Sequence, residues 1–426
     1  MGPLERSTGI HDDLWARSIV LSHEAPSVAL VFMDLIGIDM PLSDQMRAEI
    51  TRRTGITSIL INCSHTHSAP FTVSWSVSGR AEYQAEAAGW QEGLVSTVAE
   101  IVTQAAARQR PTNVRYGRAP AQVGANRRLA TPDGIDMQPN PDGPVVPWVD
   151  VLRFDPTDGS DPMVIINHAA HPVIIHGAST LMSADYPGVA VQTLRESLGG
   201  NAMAVFAQGC CGNINGEPLR GGFDAAENAG KELAEAALAA CEHSEQIEGA
   251  YLRFRQKTIT LPLQAYPTLE DCEGLLRRQE KVAESAGDDV ARWYARENVI
   301  CTERLMERVK SGVKHDGIRF ELNALAFGDD VCLVTMTDEV FCDYQLWAVE
   351  NSPARHTMVW AYTNGDEIYV PVDAALGEGG YEAAPSPTLE YASALYYHNA
   401  LAPRPGAEMA IKTAIGELLG ELYPVE

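Results

Sequence analysis

The run Ile61-Asn62-Cys63-Ser64-His65-Thr66-His67-Ser68-Ala69-Pro70 places two histidines one residue apart where an apolar segment ends. In extended backbone, side chains two positions apart share a face and stand roughly 6–7 Å apart, so both imidazoles reach one cleft. Imidazole is a zinc ligand and, near neutral pH, a proton carrier, so a close pair can divide the two jobs. The bland alternative is a strand-end turn whose histidines hydrogen-bond to backbone. A second cluster, His168, His171 and His176, follows another apolar stretch. Pro172 stiffens the chain beside His171 and makes it the better ligand. His168 and His176 read either as donors behind a metal or as ordinary polar residues, and Asp185 as a carboxylate able to orient an imidazole.

Two imidazoles do not complete a hydrolytic zinc site, which commonly takes three protein ligands and leaves a position for water. Glu339 offers a carboxylate at the end of Val334-Thr335-Met336-Thr337-Asp338-Glu339, with Asp338 its rival, and spacing does not choose between them. The segment Tyr362-Thr363-Asn364-Gly365-Asp366-Glu367-Ile368-Tyr369 also follows a strand pattern. By residue type alone Tyr369 is a core or hydrogen-bonding side chain, since a phenol with an ordinary pKa of about 10 must be acidified by the metal to ligate it. No Gly-x-Ser-x-Gly, phosphate-loop or dinucleotide glycine pattern is present, which argues against a serine α/β-hydrolase and against nucleotide chemistry.

The elements that must position these residues are legible as alternating strands and helices. Val28–Met33 reads as a buried strand, Pro41 to Arg53 as a helix with Ser43 as N-cap and Gly55 as its stop, and Thr57 to Cys63 as the next strand. Strand, helix, strand within 35 residues is a crossover unit, and ligands gather beyond the carboxyl ends of such strands. A helix from Glu82 to Ala107 follows, with Trp90, Leu94, Val98 and Ile101 on its core face. Residues 131–147 read as a long surface loop, Val149–Phe154 and Met163–Asn167 as a hairpin, Pro187–Leu198 and Glu227–Cys241 as helices flanking the strand Ala202–Ala207, and 208–218 as a polar loop. Residues 268–310, with Leu275, Leu276, Trp293 and Tyr294 among many charges, read as a helical hairpin on the rim. Strands at Ile318–Phe327, Val331–Met336 and Thr357–Tyr362 and a helix near Ile411–Leu419 complete the pattern. With no repeat and no flexible linker, the expectation is one large α/β domain, 1–426, with a mixed sheet and peripheral helices.

Composition bounds the partners. Among 426 residues, 57 acidic side chains against 32 basic give a formal net charge of −25, which opposes binding to nucleic acid or anionic lipid. No run approaches the roughly 18 apolar residues of a membrane span, and the polar start Met1-Gly2-Pro3-Leu4-Glu5-Arg6 does not read as a leader. Eight cysteines without a C-x-x-C pair, two of them adjacent at Cys210-Cys211, favour a reduced, cytoplasmic setting.

Taken together these motifs resemble the catalytic domain of the neutral/alkaline, non-lysosomal ceramidases, from Gly9-Ile10-His11-Asp12-Asp13 to about Tyr391. His65-Thr66-His67-Ser68-Ala69-Pro70 is similar to the family's His-Thr-His-Ser-Gly-Pro signature, which implies His65 as a zinc ligand and His67 as a catalytic residue. Ala170-His171-Pro172 with Ser183-Ala184-Asp185 resembles its second zinc-histidine segment. The same likeness implies Glu339 over Asp338 as the carboxylate ligand, Tyr369 in Tyr369-Val370-Pro371 as a fourth ligand, Tyr381 in Gly380-Tyr381-Glu382-Ala383 nearby, and Arg127 of Asn126-Arg127 lining the site. The sequence departs from the family at Ala69, where a glycine is expected, and at Gly209-Cys210-Cys211-Gly212-Asn213-Ile214-Asn215, where the family carries Gly-Asp-Val-Ser-Pro-Asn. It also shows no counterpart of the family's C-terminal immunoglobulin-like domain. The function expected is hydrolysis of an amide of an N-acyl compound, small or lipid-like and not necessarily ceramide, by metal-activated water with Zn2+ as cofactor. A zinc esterase or lactonase is the alternative, a metal-stabilised binding protein the third reading, and a homo-oligomer is left open.

Overall fold

All six residues of Val28–Met33 are apolar and all six are buried, as befits a strand covered on both faces. It pairs in parallel with Ser58–Cys63 through the helix Met40–Thr54, and antiparallel with Ala16–Leu21. The helix starts one turn earlier than its Ser43 suggests. Asp39 is the N-cap and accepts the Leu42 N–H at 2.9 Å, Pro41 fits the first turn, and Ser43 is buried inside. Gly55 closes the helix in the left-handed conformation at φ 75°. The computed structural model describes residues 7–23, 27–70, 72, 81–249, 251–287, 289–314, 317–384, 393, 397 and 401–424. The opening residues 1–6, the side chains of Trp293 and Tyr294, and the end of the family likeness at Tyr391 lie outside them.

Two further sheets complete the frame. One runs in the order Met203–Gln208, Met163–His168, Trp148–Pro156, Thr112–Pro120, Glu245–Gln246, and the other Leu252–Leu261, Ile318–Phe327, Val331–Met336, His356–Trp360. Their inner faces meet that of the first sheet in one apolar core, where Phe32 and Leu60 of the first sheet, Phe154 and Ile165 of the second, and Leu333 and Trp360 of the third are buried together. Helices cover the outside. Asp185–Ser197 and Phe223–Glu242 pack on each other and on the five-stranded sheet so closely that a Cβ on Gly117 would stand 2.0 Å from the Ala240 carbonyl oxygen. The mixed α/β architecture expected from the sequence is therefore present, and the helical pair expected at 268–310 is Leu269–Ser285 and Asp289–Ser311.

Three local expectations are corrected. Residues 131–147 are not one loop, because Gly124–Thr131 and Gly134–Asn140 form an antiparallel hairpin whose second strand is largely exposed and carries no run of buried apolar residues. The 208–218 loop contains Ile214–Gly216, a strand too short to show alternation, paired with Gly124–Asn126. Trp90 is not core. It is 39% exposed, and from Ala88 onward on its helix the first buried side chain is Val98.

The three sheets are joined at their carboxyl ends by isolated backbone hydrogen bonds, such as Ala361 N–H to Gln208 O at 3.0 Å and Asn364 N–H to Ile61 O at 2.8 Å, and by buried side-chain amides, rather than by a continuous ladder. Asn62 accepts the Gln208 N–H at 2.9 Å and donates to the Ala361 carbonyl at 2.7 Å and Thr363 Oγ1 at 3.0 Å, so one side chain touches all three sheets. Asn364 answers from the other side, accepting from Ile61 N–H and donating to Ile59 O and Glu321 Oε1. Asn62→Leu keeps the volume but strands several buried partners at a cost of about 1–3 kcal/mol each. Urea denaturation of the variant should show stability lowered by about 3 kcal/mol, and a loss below about 0.5 kcal/mol would remove the amide clamp from this account of the fold.

Candidate metal centre

The chain after each clamped strand end turns into the same space. Ser64 and His65 continue the parallel pairing by donating their N–H groups to Met33 O and Leu35 O, and His65 sits in the left-handed region at φ 67°. The two histidines are therefore not brought together by extended backbone as their spacing suggests. The turn swings His65 inward, and its ring still meets His67 with Nε2 atoms 3.2 Å apart. His171 is fixed through its N–H on Ile214 O and its Nδ1 on Cys211 O at 2.7 Å and Ile214 O at 3.0 Å. Glu339 and Tyr369 are opposite partners in a two-residue parallel pairing, Glu339–Val340 with Tyr369–Val370. Gly212 packs against this pair, since a Cβ on it would lie 2.5 Å from Glu339 O.

These elements bring five of the residues expected at the site into direct contact. Glu339 Oε2 lies 2.9 Å from His171 Nε2 and 3.3 Å from His65 Nε2, and the Tyr369 hydroxyl 3.3 Å from His171 Nε2. His65, His67 and His171 offer donor atoms all within 4.8 Å of one another. His65, His171, Glu339 and Tyr369 are buried, while His67 is half-buried at the edge. Arg127 is the sixth. Its guanidinium donates to Glu382 Oε1 at 2.8 Å, Asn215 Oδ1 at 3.1 Å and Gly212 O at 2.7 Å, and reaches to 3.4 Å from His171 Nε2.

The donor chemistry suits a cation. His65 Nδ1 is 2.5 Å from Ile36 O, and His171 Nδ1 faces two carbonyls, so in each neutral ring Nδ1 carries the hydrogen and Nε2 turns a lone pair inward. Burial pushes His171 down to about 4, which keeps it neutral at pH 7. Two lone pairs and a carboxylate oxygen thus face one another at 2.9–3.3 Å. Ligands on a tetrahedral zinc at roughly 2.0–2.1 Å stand about 3.3 Å apart, so the separations fit such an ion.

Other expected residues lie further out. Asp185 orients no imidazole; its oxygens accept the N–H groups of Ile175 and Tyr186 and hold the 173–176 segment. His168 turns its Nδ1 to Trp148 O at 2.9 Å. His176 stacks edge-on to His67 with centroids 5.1 Å apart, and Tyr381 lies 5.6 Å from Tyr369. Asp338 accepts from the N–H groups of Glu367 and Ile368 and so shapes the turn before Tyr369. Three neighbours escaped the sequence reading. Tyr397 donates to Glu339 Oε1, Tyr362 donates to Glu339 Oε2 at 3.2 Å, and Asp366 lies 3.8 Å from His65 Nδ1 with both oxygens buried and without a hydrogen bond. Burial, with the Glu339 charge, pushes Asp366 well up. Strand-end placement singled out the 362–369 segment, which held two of the three, whereas nothing local marks Tyr397. A cleft of about 740 Å³ bounded by His11, Trp15, Arg17, Asp34 and Phe223 includes none of the clustered histidines.

Fold and site together define a mixed α/β protein with a buried histidine and carboxylate centre at the convergent ends of three sheets. No protein-family model matches the chain. It is 25% identical over 242 residues to neutral ceramidase of Pseudomonas aeruginosa, a stretch that is 52% of this chain and 35% of that protein. The crystal structure of neutral ceramidase from Pseudomonas aeruginosa superposes with a TM-score of 0.68 at 19% identity, covering 98% of this chain and 70% of that one. A ceramidase complexed with C2 gives 0.70 at 18%, covering 99% and 72%. The chain is therefore neutral-ceramidase-like in sequence over half its length and in fold over nearly all of it, while its sequence match spans about a third of the curated relative. Among the described residues no helix is long and apolar enough to cross a membrane.

Gly212→Ala tests the geometry. The methyl group must displace the Glu339 backbone, and divalent-metal affinity measured by chelator competition should fall about 10–100-fold, with unchanged affinity counting against Glu339 as a ligand.

Proposed function

We propose that this protein is a zinc-dependent amidohydrolase that cleaves the amide of an N-acyl compound. The single observation that carries the reading is the inward convergence of the His65 and His171 lone pairs on Glu339, each imidazole pinned from behind by a carbonyl. The likeness to neutral ceramidase supports an acyl amide as the substrate class. His65, His171, Glu339 and Tyr369 would hold the ion, which supplies Lewis acidity and makes water more acidic at neutral pH.

The chain's own groups then divide the remaining work. His67, 3.2 Å from His65 and the least buried of the three histidines, would receive a proton during attack or return one to the departing nitrogen. Arg127, which the family likeness implied as lining the site, would act as a positioning residue. With its donors committed to Glu382, Gly212 and Asn215, it fixes the positions of His171 and the Tyr369 ring, whose centroid lies 5.3 Å from the guanidinium carbon. Tyr362 and Tyr397 each engage one oxygen of Glu339 and restrict its rotation.

Metal analysis followed by hydrolysis assays on N-acyl amino acids, N-acyl amines, ceramides and esters tests the reading. About one equivalent of divalent metal is expected, with amide hydrolysis lost on chelation, restored by zinc, and reduced at least about 100-fold in His65→Ala. In His67→Ala the metal should remain while kcat falls. Amide hydrolysis unaffected by chelation and by His65→Ala would end the proposal, and a preference for esters over amides would reassign it to the ester class.

A further inference from the structure

We propose that the acyl compound carries a carboxylate, as an N-acyl amino acid does, and that Arg220 binds that carboxylate at the outer side of the centre. This rests on the amidohydrolase reading above and names the part of the substrate that lies beyond the scissile bond.

The argument begins with charge. In a chain of net charge −25, arginines near the site are paired: Arg127 and Arg128 with Glu382, Arg47 with Glu321, Arg319 with Asp44. Arg220 is exposed, and among the described residues its guanidinium has no carboxylate partner and no hydrogen bond. An unpaired guanidinium amid so many acids is a vacant anion contact, and its planar fork matches a carboxylate in two parallel hydrogen bonds.

Its position is built. The segment that carries it is bound down residue by residue, with Glu217 N–H on Val123 O at 3.0 Å, Arg220 N–H on Val173 O at 3.2 Å and Gly222 N–H on Ile174 O at 3.0 Å. Arg220 itself is held at φ 60°, a conformation that a non-glycine residue keeps only where the surroundings impose it. Its Nε stands 3.3 Å from the place a Cβ would occupy on Gly177, so the bare glycine leaves room for the side chain to lie over the turn next to His176.

His176 links this arginine to the centre. Its ring lies 5.1 Å from the His67 ring, and its Nε2 is buried without a hydrogen-bond partner. From the inside outward the order is Glu339 with His65 and His171, then His67, then His176, then Arg220. A substrate whose carbonyl is next to His67 can lay its amine portion along His176, satisfy that ring nitrogen, and end its negative charge on Arg220. An uncharged headgroup would leave the guanidinium unused.

The test compares N-hexanoyl-glutamate with its uncharged diamide, using the full metal-loaded chain as wild type, Arg220→Ala and Arg220→Lys. Wild type should favour the carboxylate compound. Arg220→Ala should lose about 10–100-fold more in kcat/KM on the carboxylate compound than on the diamide, chiefly through KM, with Arg220→Lys recovering part of the loss and added salt weakening the preference. Equal losses on both compounds, or no loss on either, would overturn the proposal. Calorimetric binding of N-hexanoyl-glutamate separates the two readings. Binding that Arg220→Ala abolishes, without turnover by wild type, supports the carboxylate contact and defeats only the hydrolase reading, whereas equal binding by wild type and Arg220→Ala, or none by either, defeats the carboxylate contact.

Discussion

Two imidazole lone pairs and a carboxylate oxygen do not share a dry cavity comfortably unless positive charge lies between them. In this protein each imidazole is denied the escape of changing tautomer, because Ile36 O holds Nδ1 of His65 and the carbonyls of Cys211 and Ile214 hold Nδ1 of His171. Much of the architecture serves to keep those groups facing one another. The turn that carries His65, the close approach of Gly212 to the Glu339 strand and the tyrosines on both oxygens of Glu339 each remove a way in which the cluster could relax. A grouping of polar side chains maintained from so many directions supports the proposed metal site better than it fits a packed core.

The awkwardness is distributed over the backbone as well. His65, Asp338, Tyr362 and Asn364 all adopt left-handed conformations, and all lie immediately beyond strand ends in the convergent region. Each permits a sharp departure from the sheet direction, which a regular strand would carry past the centre. The buried amides of Asn62 and Asn364 occupy the seams where the three sheets would otherwise leave donors and acceptors unmet. Specific side chains thus do at the seams what ladder hydrogen bonds do within the sheets.

The sequence made the scaffold readable wherever burial imposed a run of apolar residues, as in Val28–Met33, Ser58–Cys63, Met163–His168 and Val331–Met336. It failed where an element is exposed or very short, as at Gly134–Asn140 and Ile214–Gly216, since neither leaves a pattern of burial in the chain. His65, His171 and Glu339 stood out because each follows a strand, whereas Tyr369 was implied as a ligand only by the family likeness, which also separated Glu339 from Asp338 where spacing could not. What was illegible is the layer behind the ligands. Backbone carbonyls of Ile36 and Cys211 carry no residue-type signal, and Tyr397 reaches Glu339 across 58 positions from a segment with no motif. For the same reason Asp185 was cast as a partner of an imidazole when its oxygens are taken by main-chain groups.

The order of the ligands along the chain has a consequence for biogenesis. His65, His171, Glu339 and Tyr369 are spread over some 300 residues, and Tyr397, which braces Glu339, comes later still. While the ribosome is still extending the C-terminal third, the two histidines have no carboxylate to share a cation with. Contacts so distant in sequence form late because the intervening loops must close first. On the reading proposed above, metal acquisition would be a property of a chain folded through Tyr369, and a released fragment ending before Glu339 would leave two apposed imidazoles without the carboxylate that completes the centre.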